Sequence, residues 1–428
     1  VNRLLKYKLH AGALQFAVFI SVIIAILLAG ALLLAYTHRF FIEQSKAIVE
    51  NIQLTDSGIA ALLEDVNVGT DTLFVAVPDA FDEQTLNVHL SQWGLFELGY
   101  VKATHRQKEF IKCSLLGSSI KTQKRPALYL NETFKPLAVV GETRIEGNSW
   151  LPEQGIRPGN ISGNSYYGTD LIFGSIKNST TELPKLKYNY SKELEYYINI
   201  YHPEGVGDYI PVTTYTKTVN SFKQHTKGYY SSGSIVLDNV YLQGNIIIRS
   251  DKEIIVRSSA NLKDIIIAAP IIIIEDNVKG SFQAIANATI KVGKNCSLSY
   301  PSALVLLKKD NPVVEKPDDF LNKISVDQST TIRGSVCYLA KAPESDYKVN
   351  IFVDKQSSVK GEIYCVGNLE LRGNVDGTVY TNQFLTNESG SIFVNHLYNA
   401  RIISRNLPES FGGLLLNDES KSVMKWLY

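Results

Sequence analysis

Between Ala13 and Tyr36 the chain runs for 24 residues without a charged side chain, and only Gln15 and Ser21 are clearly polar. A helix rises about 1.5 Å per residue, so this run is long enough to cross a hydrocarbon core of about 30 Å. A cleaved export signal has a shorter apolar part and a small-x-small site behind it, and neither is present. The pattern predicts a transmembrane helix over 13–36. From His38 to Glu64 apolar residues keep helical spacing, with Phe41, Ile48, Ile52, Ile59, Leu62 and Leu63 on or near one side. A stalk helix is therefore predicted over 37–70.

Beyond the stalk the period shortens. Over 71–137 apolar runs such as Thr72–Val77, Leu86–Leu90, Leu95–Val101 and Pro126–Leu130 alternate with polar breaks, which predicts a small β-rich region. Over 138–181 glycines punctuate short apolar stretches, the pattern of short strands with tight corners, and these are candidate first coils of a stack. Residues 182–232 read as an insertion, with a short helix over Ser191–Tyr201 capped by Ser191.

After Gly233 the pattern repeats. Lys252–Ala269, Ala288–Val305 and Val349–Val366 align without a gap. Each has an Ile-x-Val strand (Ile254/Val256, Ile290/Val292, Ile351/Val353), five mostly polar or small residues, and a second strand opening at Leu262, Leu298 or Val359. An apolar-x-Gly-x-apolar motif recurs around Gly280, Gly334, Gly361 and Gly377. Side chains on a strand alternate faces, glycine turns corners where a Cβ would be crowded, and stacked coils build a core that no single coil can. The prediction is a β-solenoid over 233–428 with those four glycines as corners. An antiparallel sandwich would need hairpin dipeptides recurring at its strand junctions, whereas the Asp376-Gly377 of this stretch sits inside the repeat. The fold class is thus mainly β: an N-terminal transmembrane and stalk α-helix, then a β-rich region, then a β-solenoid.

Composition narrows the functions. Lys plus Arg number 43 against 42 Asp plus Glu, so no basic excess supports nucleic-acid binding. The seven His form no HxxxH or HExxH, and no GxSxG, GxGxxG or GxxxxGK[ST] occurs. No catalytic, cofactor or metal residue is predicted. Solenoids that hydrolyse polysaccharides use clustered carboxylates, for which Glu275, Asp276, Asp318 and Asp319 are the candidates. Adjacent residues on a strand face opposite ways, however, and a solvated corner is the commoner reason for such a pair. The four Cys are too few for a disulfide framework. The glycine register aligns Cys337 with Tyr364 and Tyr380, and Cys365 with Tyr338 and Thr381, so these two Cys lie in different rows.

Two stretches resemble known families. The run GNLELRGNVDGTVY over Gly367–Tyr380, with VKGEIYC before it, resembles the bactofilins, polymer-forming cytoskeletal solenoids of short coils. The start of the chain, with Arg3, Lys6 and Lys8 ahead of Gly12 and an apolar helix from Ala13, resembles minor pilins and pseudopilins. That resemblance implies cleavage between Gly12 and Ala13; an ordinary signal anchor with a stalk helix is the alternative. The basic leader also implies that residues 1–12 face the cytoplasm and the rest is exported from the inner (cytoplasmic) membrane. The reading is a non-enzymatic structural or assembly component of a bacterial cell envelope. It would touch membrane lipid through residues 13–36 and have protein partners, a second copy of the chain among them. The alternative is a cell-surface carbohydrate-active or carbohydrate-binding β-helix.

Overall fold

In the computed structural model residues 11–64, 73–75, 84–105, 108–121, 123–187, 190–200, 215–308, 322–342, 346–417 and 420–427 are described. The apolar run and the stalk form one helix, Ala11–Leu63, of 53 residues. No Pro interrupts it, so the backbone bonds of the apolar half continue unbroken into the polar half. It is the one helix among the described residues long and apolar enough to cross a membrane, and its apolar window is wholly uncovered by the rest of the chain. Single-pass anchoring is consistent with that.

The distal part of the helix is packed. Ala47, Asn51, Thr55, Ile59 and Leu62 recur at steps of three to four and are buried, while Phe41 and Ile48 remain exposed. The contact face is rotated from the apolar stripe because small residues let the backbone approach the neighbouring sheet. A Cβ on Gly58 would lie 2.5 Å from Val101 Cγ1. Asn51 Nδ2 donates to the Lys108 carbonyl across this contact at 3.0 Å.

The partner is an antiparallel sheet. Gln84–Trp93, Phe96–His105 and Lys108–Ser119 form a meander, with Leu73–Val75 on one edge. On the other side Lys108–Ser119 pairs antiparallel with Ser420–Leu427, so the end of the chain returns to the sheet. Alternation sets the two faces. Leu86, Val88, Leu90, Val101, Ala103 and Leu116 meet Ile59 and Leu62 of the helix. Trp93, Leu95, Phe96, Cys113 and Leu115 form a second core with the flank of the coiled stack. The sheet is a layer between helix and stack.

The stack is a β-solenoid of parallel ladders. One column runs Ile235, Ile254, Ile272, Ile290, Ile324, Ile351, Leu369 and Phe384, each paired with the next. Apart from the hairpin of Asn374–Glu388 with Ser391–Val394, the strands of these ladders pair in parallel with the strand one coil away, so the ladders are helical stacks and not a closed barrel. From Ile254 onward the members of this column are fully shielded from solvent. At about 25 cal/mol per Å² of apolar surface, each such isoleucine contributes roughly 1.5–3 kcal/mol. That burial is possible only because a neighbouring coil covers it.

The order of coils departs from the order of sequence. Coil pairing already begins at Lys217–Asn220 and Lys227–Ser231, ahead of residue 233, and runs to Arg401–Ile403. There the next coil comes from earlier in the chain. Pro126–Leu130 pairs with Asn374–Glu388, Leu137–Val140 with His396–Tyr398, and Arg144–Glu146 with Arg401–Ile403. Asn148–Leu151 and then Ile176–Asn178 extend the stack further. The glycine-rich stretch therefore supplies the last coils in space, not the first, and Pro126–Leu130 belongs to the stack, not to the sheet. The end of the predicted 233–428 solenoid lies in the sheet.

In sequence, residues 179–187 and 190–200 lie between Ile176–Asn178 at one end of the stack and Lys217–Asn220 at the other. The helix of that segment is Tyr190–Glu195, followed by a π turn over Tyr196–Ile200. Leu194, Tyr197 and Ile198 are buried where the sheet meets the stack. The Tyr197 hydroxyl donates to the Gln92 carbonyl at 3.0 Å and accepts from Gly94 N at 3.2 Å, tying this strap to the first hairpin. Burial pushes the Tyr197 hydroxyl up to about 12.

Candidate functional site

Gly12 and Ala13 both lie within the helix and are exposed, and a Cβ on Gly12 would meet nothing within 4 Å. Among the described residues nothing packs over the peptide bond there.

At the coil corners, Gly334, Gly361 and Gly377 are stacked in one column. Their φ angles are +141°, +150° and +149°, a region L side chains rarely adopt. A Cβ on each would overlap the carbonyl oxygen of the residue one coil away: Ser302, Gly334 and Gly361 respectively. Gly280 is not part of this column. It pairs with Leu262 and Leu298, and Leu298 pairs with Ile332, two residues short of Gly334. The matching residue in that coil is Phe282, whose neighbour Gln283 pairs with Ala303, the partner of Ser335. Gly280 also lacks a left-handed φ, so its motif match reflects the shared apolar spacing alone.

A second set of corners carries no glycine at the left-handed position. Asn277, Asn295, Ser329 and Gln356 have φ of +65°, +56°, +60° and +60°. Each follows the last residue of an Ile-x-Val or equivalent strand (Ile274, Val292, Val326, Val353) by three positions. The polar spacer between the aligned strands held this signal, since Asn tolerates that conformation best after glycine.

Of the carboxylate candidates, Glu275 and Asp276 are described. Glu275 and Asp276 are exposed on the turn before Lys279–Ala286. Asp276 Oδ1 accepts a 2.7 Å bond from Lys294 N of the next coil, and Glu275 Oε1 lies 4.0 Å from Arg257 Nε. They serve coil-to-coil corner contacts. Asp318 and Asp319 lie outside the described residues. Among the described residues no three His, Cys, Asp or Glu side chains are grouped to hold a metal ion.

The predicted cysteine rows are present. Cys337 pairs with Tyr364, and Tyr338 with Cys365, and all four cysteines are free and buried. Burial pushes the Cys113 thiol up to about 11, raises that of Cys296 and raises that of Cys337 far more. The thiolate is the nucleophile, so these cysteines should be inert while the chain is folded. At about pH 8 a thiol reagent should label none of the four in the native protein and all four in urea. Rapid native labelling at Cys337 would mean that this part of the stack opens. From Cys337 the same row runs Tyr364, Tyr380, Tyr129, Trp150 and Lys177 on successive coils.

No protein-family model matches the chain, and no curated protein matches its sequence. Among solved structures, the competence-associated pilin ComZ from Thermus thermophilus aligns over 89% of this chain and 96% of its own. The identity is 10% and the TM-score 0.31, and at those values the alignment carries no argument.

Proposed function

We propose that this chain is a non-enzymatic, pilin-like component of a bacterial-type cell envelope, anchored by a single helix in the inner membrane and carrying a rigid β-solenoid outside it. The observation that carries this reading is the continuity of Ala11–Leu63. Its apolar half is uncovered, and its distal half is packed beneath the sheet that holds the stack. A helix of 53 residues extends about 80 Å, more than twice a hydrocarbon core. The anchor and the load are thus parts of one rigid element. The basic residues Arg3, Lys6 and Lys8 favour a cytoplasmic leader, and the exposed Gly12–Ala13 bond favours prepilin-type processing. Protein partners, including further copies, would dock on the exported part. The exposed, corner-bonded Glu275 and Asp276 give no support to a hydrolase.

The test combines topology and mass. Alkaline phosphatase fused after Leu427 should be active in a bacterial host, and activity from a cytoplasmic reporter alone would reverse the orientation. With the processing peptidase present, the N-terminus should begin at Ala13, and Gly12→Val should leave the leader attached. Identical unprocessed masses for both proteins would remove the pilin-like part and leave a signal anchor.

A further inference from the structure

The strands that open at Asn261, Lys279, Ser297, Thr331, Ser358, Asn374 and Arg401 lie on successive coils, and these residues form one outward row. The second residue of each strand points into the core, and the third stands outward beside the first. Over these strands the first and third positions carry Lys263, Lys279, Arg333, Lys360 and Arg401, all exposed, against the single carboxylate of Asp376. The chain as a whole holds 43 Lys plus Arg against 42 Asp plus Glu, so a net +4 here (five cations less one carboxylate) is a separation of charge.

The nearby carboxylates are taken. Asn406 Nδ2 donates to Asp376 at 2.8 Å, and Lys425 holds Asp264, the residue after Lys263. Among the described residues none of the five cations is ion-paired. The corner ahead of these strands is neutral by contrast: Glu275, Asp276, Asp327 and Asp354 are matched in number by Arg257, Lys294, Lys355 and Arg372. Neighbouring strands lie about 4.8 Å apart, so the steps from Asn261 to Arg401 make a rigid line of about 29 Å.

What stands between the cations decides the partner. Ser297, Thr331 and Asn374 are half-buried in the first row and form no side-chain hydrogen bond among the described residues. Free hydroxyl and amide groups beside unpaired cations suit a polymer that carries both hydroxyls and negative charge. Neither position holds an aromatic side chain over these strands, so the stacking platforms that a single-stranded nucleic acid uses are missing. A DNA duplex turns once in about 34 Å, so each of its phosphate strands winds away from a line of this length.

We propose that this face of the solenoid binds a linear acidic polysaccharide, its carboxylates on the five cations and its hydroxyls on the Ser, Thr and Asn side chains between them. Each exposed contact is weak and screened by salt, and binding arises from their sum on a rigid scaffold. The face depends on neither the leader nor the anchor.

The probe is hexaglucuronate, the uronic acid form of cellohexaose, titrated calorimetrically at low ionic strength into the full chain in zwitterionic lipid nanodiscs. Cellohexaose is the uncharged counterpart, and hexaglutamate supplies the charges without the sugar. The acidic sugar should bind about tenfold tighter than either, and added salt should weaken it. Arg333→Gln combined with Lys360→Gln, exposed changes that should leave folding intact, should weaken it about tenfold. Lys294→Gln combined with Lys355→Gln removes the same charge from the balanced corner and should change the affinity by less than about twofold. Equal binding of cellohexaose or hexaglutamate, tighter binding of a short DNA duplex, equal effects of the two double variants, or no saturable binding of the acidic sugar would each overturn the proposal.

Discussion

Gly361→Val will lower the stability of the folded chain by roughly 3–5 kcal/mol, the sum of a strained backbone and an overpacked corner. Its φ of +150° disfavours any side chain, and a β-branched one most. A Cβ would overlap the Gly334 carbonyl oxygen, lie 2.8 Å from the Gly334 carbonyl carbon, and press on Phe411 Cζ at 3.1 Å. Relief is blocked on the opposite side, because Gly377 is stacked against Gly361 at the same close approach. The comparison is Gly233→Ala, where the nearest atom to an added Cβ is Ser231 Oγ at 3.7 Å and no left-handed φ applies. That variant should stay within about 1 kcal/mol of the parent. Urea unfolding of the full chain in mild detergent reads both. Equal and negligible shifts at the two positions would mean that Gly361 is not a stacked corner. Gly293, which by the repeat alignment sits in a turn and would tolerate Ala, is no such control. A methyl there would lie 2.7 Å from Asp276 N and 2.9 Å from the Glu275 carbonyl carbon.

What was legible in the sequence follows from what a repeat can encode. The Ile-x-Val strands and the column of Gly334, Gly361 and Gly377 were visible because each coil must solve the same local problem, apolar inward and compact at the corner. The placement of Cys337 and Cys365 in separate rows followed from that register. What failed was anything settled between distant coils. Gly280 carries the motif yet sits two residues out of the column, because its motif is displaced against the strand register, so that Gly280 matches Ile332 and Phe282 falls at the corner position. The glycine-rich stretch reads as coils, but nothing in its residues says that it stacks beyond Asn374–Glu388 and not before Lys217. Strand Lys108–Ser119 is buried on both faces from Cys113 to Ser118, and its mixed residues there, Cys-Ser-Leu-Leu-Gly-Ser, show no alternation by which a strand is recognised. The Gly12–Ala13 junction is a motif written in consecutive residues, whereas the row of Cys337, Tyr364, Tyr380, Tyr129 and Trp150 joins coils from both halves of the chain and no local pattern marks it.

The return of the chain end to the sheet predicts the second large effect. Ser420–Leu427 closes the sheet beside Lys108–Ser119, and Lys421 Nζ there meets Glu97 Oε2 at 2.8 Å. The two side chains are 2% and 6% exposed. Glu97 alternates in register with Val101 and Ala103, so the pair lies on the face that receives the helix. A bulge between Val423 and Lys425 then turns the strand, and Lys425 reaches Asp264 of the stack at 2.6 Å. One strand therefore pins both layers, through a buried pair and a half-buried one. Lys421→Met takes the ammonium away from the buried Glu97 carboxylate and should cost about 3–5 kcal/mol. Glu97→Leu combined with Lys421→Met removes both charges, and an apolar pair of similar volume should bring stability back to within about 1 kcal/mol of the parent. Lys425→Met should cost under about 1 kcal/mol, because its ammonium can reach water. Urea midpoints of the four proteins decide the matter. A double variant as unstable as Lys421→Met would mean that the pair contributes by shape and not by charge. An unchanged midpoint in Lys421→Met would mean that the end of the chain does not close the sheet.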